Sequence, residues 1–202
     1  AGIIVIAVLA ALTWIQCGYW KNSIELFSHA LLVTKNNALA HVNRGSAYDD
    51  SGNHQLAIAD YNESIRLKPD DADAFYNRGN SYAAMERHDL ALEDYSKAIS
   101  LKPNAKAYNN RGYSYDKLGR YQQAIEDYNQ AIRLKSDNVK FFYNRGFAYA
   151  KLGQNQPAID DFSEAIRLKP DSVDAYDRRG TVYLIQGENR PGCSDAQKAC
   201  SL

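Results

Sequence analysis

Along most of the chain, apolar and small residues recur three, four and seven positions apart, the spacing of one face of an α-helix. A longer period lies over this one. Gly45, Tyr48, Ala57, Tyr61 and Ser64 return as Gly79, Tyr82, Ala91, Tyr95 and Ala98. They return again as Gly112, Tyr115, Ala124, Tyr128 and Ala131, and then as Gly146, Tyr149, Ala158, Phe162 and Ala165. The pair Arg-Gly marks the phase at Arg44-Gly45, Arg78-Gly79, Arg111-Gly112, Arg145-Gly146 and Arg179-Gly180, with spacings of 34, 33, 34 and 34 residues. A fixed period of this size predicts a stacked helical array. Each unit is expected to hold two antiparallel helices. The small residues let them approach closely, and the aromatics fill the space between them. Turns at Ser51-Gly52, Leu118-Gly119 and Leu152-Gly153 separate the helices. Pro69, Pro103 and Pro170 end the second helix of their units, and Ser136 stands where the third unit would have its proline.

These residues at these offsets resemble the tetratricopeptide repeat family, whose pattern places an aromatic, Leu-Gly, Tyr, Ala, a second aromatic, Ala and Pro in 34 residues. The resemblance covers residues 36–202. It implies an all-α fold, a right-handed superhelical solenoid of about five helix-turn-helix repeats. The expected repeats are 36–69, 70–103, 104–136, 137–170 and 171–202, preceded by a half repeat at 21–35 and an apolar helix at 1–20. One departure stands out: arginine occupies the place before glycine where the family usually has leucine. An aspartate also recurs in every second helix, at Asp60, Asp94, Asp127, Asp161 and Asp195. Arginine and aspartate in matched phase predict an ion pair across each helical hairpin. One repeat buries too little surface alone, so stacking supplies the core.

Counting back one period uncovers a further unit. Residues 18–35 have the phase of a second helix, with Phe27 and Ala30 at the positions of Tyr61 and Ser64. Its first helix would be residues 4–17, with Ile4, Ile6, Leu9, Leu12, Trp14 and Cys17, and no charge precedes Lys21. Four readings stay open. A cleaved signal peptide is disfavoured by the missing basic n-region. A membrane span fits, because about 20 apolar residues cross a bilayer. Trp14, Tyr19 and Trp20 would then form an interfacial belt with Lys21 outside it. The third reading is a first helix buried against another chain, and the fourth a truncation from a longer membrane protein. The stretch around residues 19–45 resembles the junction in bacterial polytopic membrane proteins that end in tetratricopeptide repeats. Some of those are similar to glycosyltransferases, which would make this chain a soluble tail without its own chemistry.

At the other end, Cys193 falls in the phase of Ile58, Leu92, Ile125 and Ile159, and Cys200 in the phase of Ile65, Ile99, Ile132 and Ile166. Both read as small core hydrophobes. No capping helix follows in the sequence. An apolar start and an uncapped end predict head-to-tail self-association, with residues 4–17 of one subunit on the last helix of the next, in an open filament or a ring. Cys17 would lie near that junction.

In stacked helical pairs the first helices line the inner face. The residue before each Arg-Gly points there by its phase: Asn43, Asn77, Asn110 and Asn144, and then Arg178, which breaks the series. This row resembles the asparagine ladder in the repeats of O-linked N-acetylglucosamine transferase, which implies amides that hold a peptide backbone. An amide both donates and accepts, which suits a main chain of any sequence. Tyr76, Asn109 and Tyr143 flank the row on one side, and Asn80, Tyr113 and Phe147 on the other. A clamp for a carboxylate tail would need clustered cations, but Lys106 and Lys140 alternate with Asp73 and Asp174.

Composition narrows the rest. There are 24 basic and 24 acidic residues, so the formal net charge is zero and the basic field that nucleic-acid binding needs is missing. Three cysteines are too few for a disulfide framework and leave the redox compartment open. The sequence holds no phosphate-cradling glycine loop, no CxxC and no HExxH. Its carboxylates follow the repeat phase, as structural groups do. The expectation is a non-catalytic scaffold for a protein or peptide, needing no cofactor or metal. Attachment or assembly would run through the N-terminal helix, with a membrane-associated or extracytoplasmic place favoured. The alternatives are a filament subunit and the tail of a membrane glycosyltransferase-like protein.

Overall fold

A computed structural model describes residues 22–202. Among the described residues there are eleven α-helices, divided between two compact units that meet at Arg87 and His88. The first unit holds α1 (Ser23–Val33), α2 (Ala38–Asp50), α3 (His54–Leu67) and α4 (Ala72–Ala84). The second holds α5 (His88–Leu101), α6 (Ala105–Lys117), α7 (Tyr121–Leu134), α8 (Val139–Lys151), α9 (Asn155–Leu168), α10 (Val173–Ile185) and α11 (Asn189–Ser201). Ile4, Ile6, Leu9, Leu12, Trp14 and Cys17 lie outside the described residues. No helix among the described residues is long and apolar enough to cross a membrane.

Local chemistry sets the helix ends. The side chains of Asn37, Asp71, Asn104 and Asn138 accept from backbone amides in the first turns of α2, α4, α6 and α8, which satisfies donors that the helix leaves open. The first helices close on glycines with positive φ, at Gly52, Gly119, Gly153 and Gly187. The amide after each glycine bonds back to a carbonyl five residues earlier, as Arg120 N does to Tyr115 O at 2.9 Å. In the second repeat the same left-handed position is held by Glu86 at φ 60°. Second helices end two residues before their prolines at Pro69, Pro103 and Pro170, as the sequence implies.

Packing follows the period. In the first unit α2 and α3 form a hairpin, with α1 against α2 and α4 against α3. In the second unit α6–α7, α8–α9 and α10–α11 are hairpins, α5 packs on α6, and the first helices α6, α8 and α10 also adjoin in sequence order. Tyr61, Tyr128 and Phe162 are fully buried between their paired helices. The glycine opposite each ring is required by space. A Cβ on Gly112 would lie 2.8 Å from Tyr128 Cε1, and one on Gly45 would lie 2.8 Å from Tyr61 Cε1.

The predicted ion pairs are present in four repeats, as two-pronged arginine–carboxylate contacts. Arg111 donates from Nε and Nη2 to Asp127 at 2.8 and 2.7 Å. Arg44 with Asp60, Arg145 with Asp161 and Arg179 with Asp195 repeat the geometry within 2.6 to 2.8 Å. Arg78 and Asp94 lie one in each unit. The four aspartates are buried, and the hydrogen-bonded Asp127 carboxylate holds the Arg111 guanidinium above its ordinary range.

The arginine does more than the sequence suggested. Its remaining nitrogen, Nη1, reaches the second helix of the preceding repeat. Arg44 donates to Ser28 Oγ, Arg78 to Asn62 Oδ1, Arg111 to Ser96 Oγ, Arg145 to Asn129 Oδ1 and Arg179 to Ser163 Oγ, over 2.6 to 3.2 Å. Each arginine in a paired repeat thus ties three helices. An aromatic ring of its own helix lies under the guanidinium, such as Tyr108 at 5.6 Å under Arg111 and Phe142 at 5.7 Å under Arg145.

One core assignment is corrected. Cys193 and Cys200 are exposed free thiols on α11. In the earlier repeats the phase they share with Ile58 and Ile65 is covered by the first helix of the following repeat, as Ile125 is by Ala148 and Ile159 by Val182. The last helix itself spans Asn189–Ser201.

Two outcomes are expected. Glu86→Gly removes a left-handed strain of about 1–2 kcal/mol, which exceeds the extra unfolded-state freedom of glycine, about 0.5–1 kcal/mol. Its urea midpoint should therefore rise. Arg111→Met leaves a buried carboxylate without its partner and should cost about 3 kcal/mol in the same assay. Adding Asp127→Leu should cost less than the sum of the two single changes, because the pair acts as one unit. Additive costs would show that the two side chains are not coupled.

Candidate functional site

The residue before each spine arginine is turned about 100° from it around the helix, since a turn takes 3.6 residues. Arg111 and Arg145 point into the packing, so Asn110 and Asn144 are carried to the face where α6, α8 and α10 adjoin. There the amides connect. Asn144 Nδ2 donates to Asn109 Oδ1 at 3.0 Å, and Asn109 Nδ2 donates to Asn110 Oδ1 at 3.1 Å. Asn43, Asn77 and Tyr76 hold the matching phase on α2 and α4 in the first unit, all half-buried. The structure therefore gathers Asn109, Asn110, Asn144, Tyr113, Tyr143 and Phe147 in one unit and the remaining groove candidates in the other.

Several cavities open on this face of the second unit, and two of them are lined by Tyr143 and Asn144. One, of about 310 Å³, has walls of Tyr113, Tyr121, Tyr143 and Phe147, with Asn144 and Asp116 also lining it. Its mouth carries Lys117 and Lys151, whose ammonium groups stand 5.1 Å from the Tyr113 centroid and 5.2 Å from the Phe147 centroid. The other, of about 390 Å³, lies beside it between Lys140, Tyr143, Asn144 and Asp174. Arg178, which interrupts the asparagine row, extends over Phe147 at 6.0 Å. Its hydrogen bond to Tyr143 raises its guanidinium above the ordinary range.

Asp116, which the sequence analysis passed over, is the least satisfied polar group lining this cavity. Its counterpart one repeat pair earlier, Asp49, is fully engaged. Asp49 accepts from Tyr61 Oη at 3.0 Å and from Ser81 Oγ at 2.7 Å, and His54 Nδ1 lies 2.8 Å from it. Asp116 keeps only the tyrosine: Tyr128 Oη donates to Oδ2 at 2.7 Å, while Oδ1 is buried without a partner. Ala148 and Tyr121 stand where Ser81 and His54 stand in the earlier pair. Burial pushes the Asp116 carboxyl up to about 6, against the opposing Tyr128 bond. Burial also holds the Tyr128 hydroxyl far above its ordinary range, so that it remains a donor. In the fourth repeat both members are replaced together, by Ala150 and Phe162.

The sequence matches the family description "TPR repeat" over residues 45–86 and 112–153, and "Tetratricopeptide repeat" over residues 72–104 and 139–172. Together these cover more than half of the chain. The chain belongs to the tetratricopeptide repeat family. Solved structures agree on the fold. YrrB, described as a TPR protein with an unusual peptide-binding site, superposes with a TM-score of 0.77 at 22% identity, over 88% of this chain and 92% of its own. MamA from Desulfovibrio magneticus RS-1 gives 0.79 at 19% identity, over 83% and 96%. Pseudomonas aeruginosa pilF gives 0.73 at 21% identity, over 81% and 75%. No curated protein matches the sequence.

Within this tetratricopeptide repeat framework the contrast between Asp49 and Asp116 gives a direct test. The folded Asp116 carboxyl takes up its proton near pH 6, against an ordinary value of 3.8. Between these values the folded state holds more protons than the unfolded one. Through this group, stability falls as pH rises from about 4 to about 6. Ala148→Ser places a hydroxyl where Ser81 sits, donating to Oδ1. It should add about 1–2 kcal/mol at neutral pH. It should also flatten that part of the profile, because the carboxyl then ionises at lower pH. Urea midpoints of the two proteins across the range check both effects.

Proposed function

We propose that the chain is a non-catalytic scaffold that holds an extended segment of a partner protein on the first-helix face of its second unit. The connected amides of Asn109, Asn110 and Asn144, set among Tyr113, Tyr143 and Phe147, carry this reading. Amides beside aromatic walls match a peptide main chain with apolar side chains alternating along it. The fold neighbour YrrB is described as having a peptide-binding site, which is consistent with this use of a tetratricopeptide repeat array. The reading is independent of how residues 1–20 are used, whether in a bilayer or against a second copy.

The test uses the labelled chain on an array of short mixed-sequence peptides, followed by solution titration of those retained. Tyr113 is 42% exposed, so its removal spares the core. Tyr113→Ala and Asn144→Ala should each weaken binding about tenfold, or about 1.4 kcal/mol, with an unchanged thermal midpoint. Undiminished affinity in both variants would place binding elsewhere.

A further inference from the structure

The charge on the first-helix face is uneven. α6 and α8 carry Lys106, Arg111, Lys117, Lys140, Arg145 and Lys151, against one acidic residue, Asp116. Asp127 and Asp161 from the second helices neutralise the two arginines. None of the four lysines has an ion-pair partner among the described residues. Asp116 acts electrostatically on Lys117 without forming an ion pair with it, and one carboxylate does not balance four lysines. The imbalance is local. On α10 the acidic Asp174 and Asp177 flank Arg178, while Asp195 binds Arg179. The first-unit helix α2 carries Asp49 and Asp50, and α4 carries Asp73. A chain with no net charge has thus concentrated unpaired cations on two neighbouring helices.

Lys117 and Lys151 are the best placed of the four. They lie one period apart, and each rests on an aromatic ring at the mouth of the same cavity. A ring face holds an ammonium in place without neutralising it. The charge stays available to a carboxylate, and the aromatic wall beside it lowers the local dielectric and strengthens that attraction. Between the two ammonium groups the cavity offers apolar surface for one side chain and the Asn144 amide for main chain.

We propose that this face selects an acidic segment of a partner protein, with carboxylates at Lys117 and Lys151 and an apolar side chain in the cavity between them. The idea rests on the groove reading above and adds its selectivity. A carboxylate-bearing peptide fits better than a phosphate backbone. The lysines are separated by aromatic and amide groups that match a polypeptide, and Asp116 lies beside them.

The experiment measures fluorescence anisotropy of the full chain with two labelled peptides in a Ser/Asn background. One carries Glu-Phe-Glu and the other Lys-Phe-Lys. The acidic peptide should bind about tenfold tighter than the basic one or better. Its affinity should fall as salt shortens the screening length from about 10 Å at 0.1 M to about 3 Å at 1 M. Lys117→Gln and Lys151→Gln should each weaken it about threefold to tenfold. Equal binding of the two peptides, or indifference to both lysine changes, overturns the acidic selectivity. The groove survives that result if Asn144→Ala still weakens binding. Failure of both peptides to bind overturns the groove reading and the selectivity with it.

Discussion

The contact on which the rest depends is the arginine before each glycine. A buried carboxylate needs a cation and hydrogen-bond donors, and arginine supplies both in a fixed planar fork. Here the fork takes the aspartate of its own repeat, and the nitrogen left over takes a serine or asparagine of the repeat before. The hairpin and the stacking of hairpins are therefore fixed by one side chain. Apolar burial supplies most of the stabilisation in such arrays, but it is not directional. The arginine contributes register. Two helices joined at Asp127 and a third at Ser96 cannot slide without breaking charge-assisted bonds in a buried place.

That constraint also frees the other side of each first helix. Because Arg111 and Arg145 must point into the packing, Asn110 and Asn144 are turned onto the face where first helices meet. Nothing in the fold requires particular residues there. Tyrosine, phenylalanine and lysine can accumulate on that face without disturbing the spine. The unpaired lysines of α6 and α8 sit on this permissive surface, while the arginines of the same helices are committed.

Repetition also makes departures readable. Asp49 and Asp116 occupy the same place in their repeats, and their tyrosine partners are placed alike. One is surrounded by Ser81 and His54, the other by Ala148 and Tyr121. The same backbone therefore holds one satisfied carboxylate and one strained by burial, and the strained one lies against the cavity. Glu86 is a departure of another kind: it occupies a left-handed turn position that the equivalent turns give to glycine.

The sequence by itself determined the repeat, the helix pairs, their turns and the arginine–aspartate pairs. Each depends on residues close in the chain or on a period that can be counted. The Nη1 partners were also legible in principle, since Ser28, Asn62, Ser96, Asn129 and Ser163 recur in phase. Serine and asparagine alternate there, and neither is a conspicuous marker in a sequence. Only the tertiary structure decided which phases are covered. Cys193 shares the register of buried isoleucines, yet it is exposed, because burial at that position comes from the next helix and not from its own. The same holds for Lys117, Lys151 and Asp116. Whether a charge is paired, stacked on a ring or stranded depends on the neighbours that packing brings to it, and a repeat pattern specifies the positions but not their company.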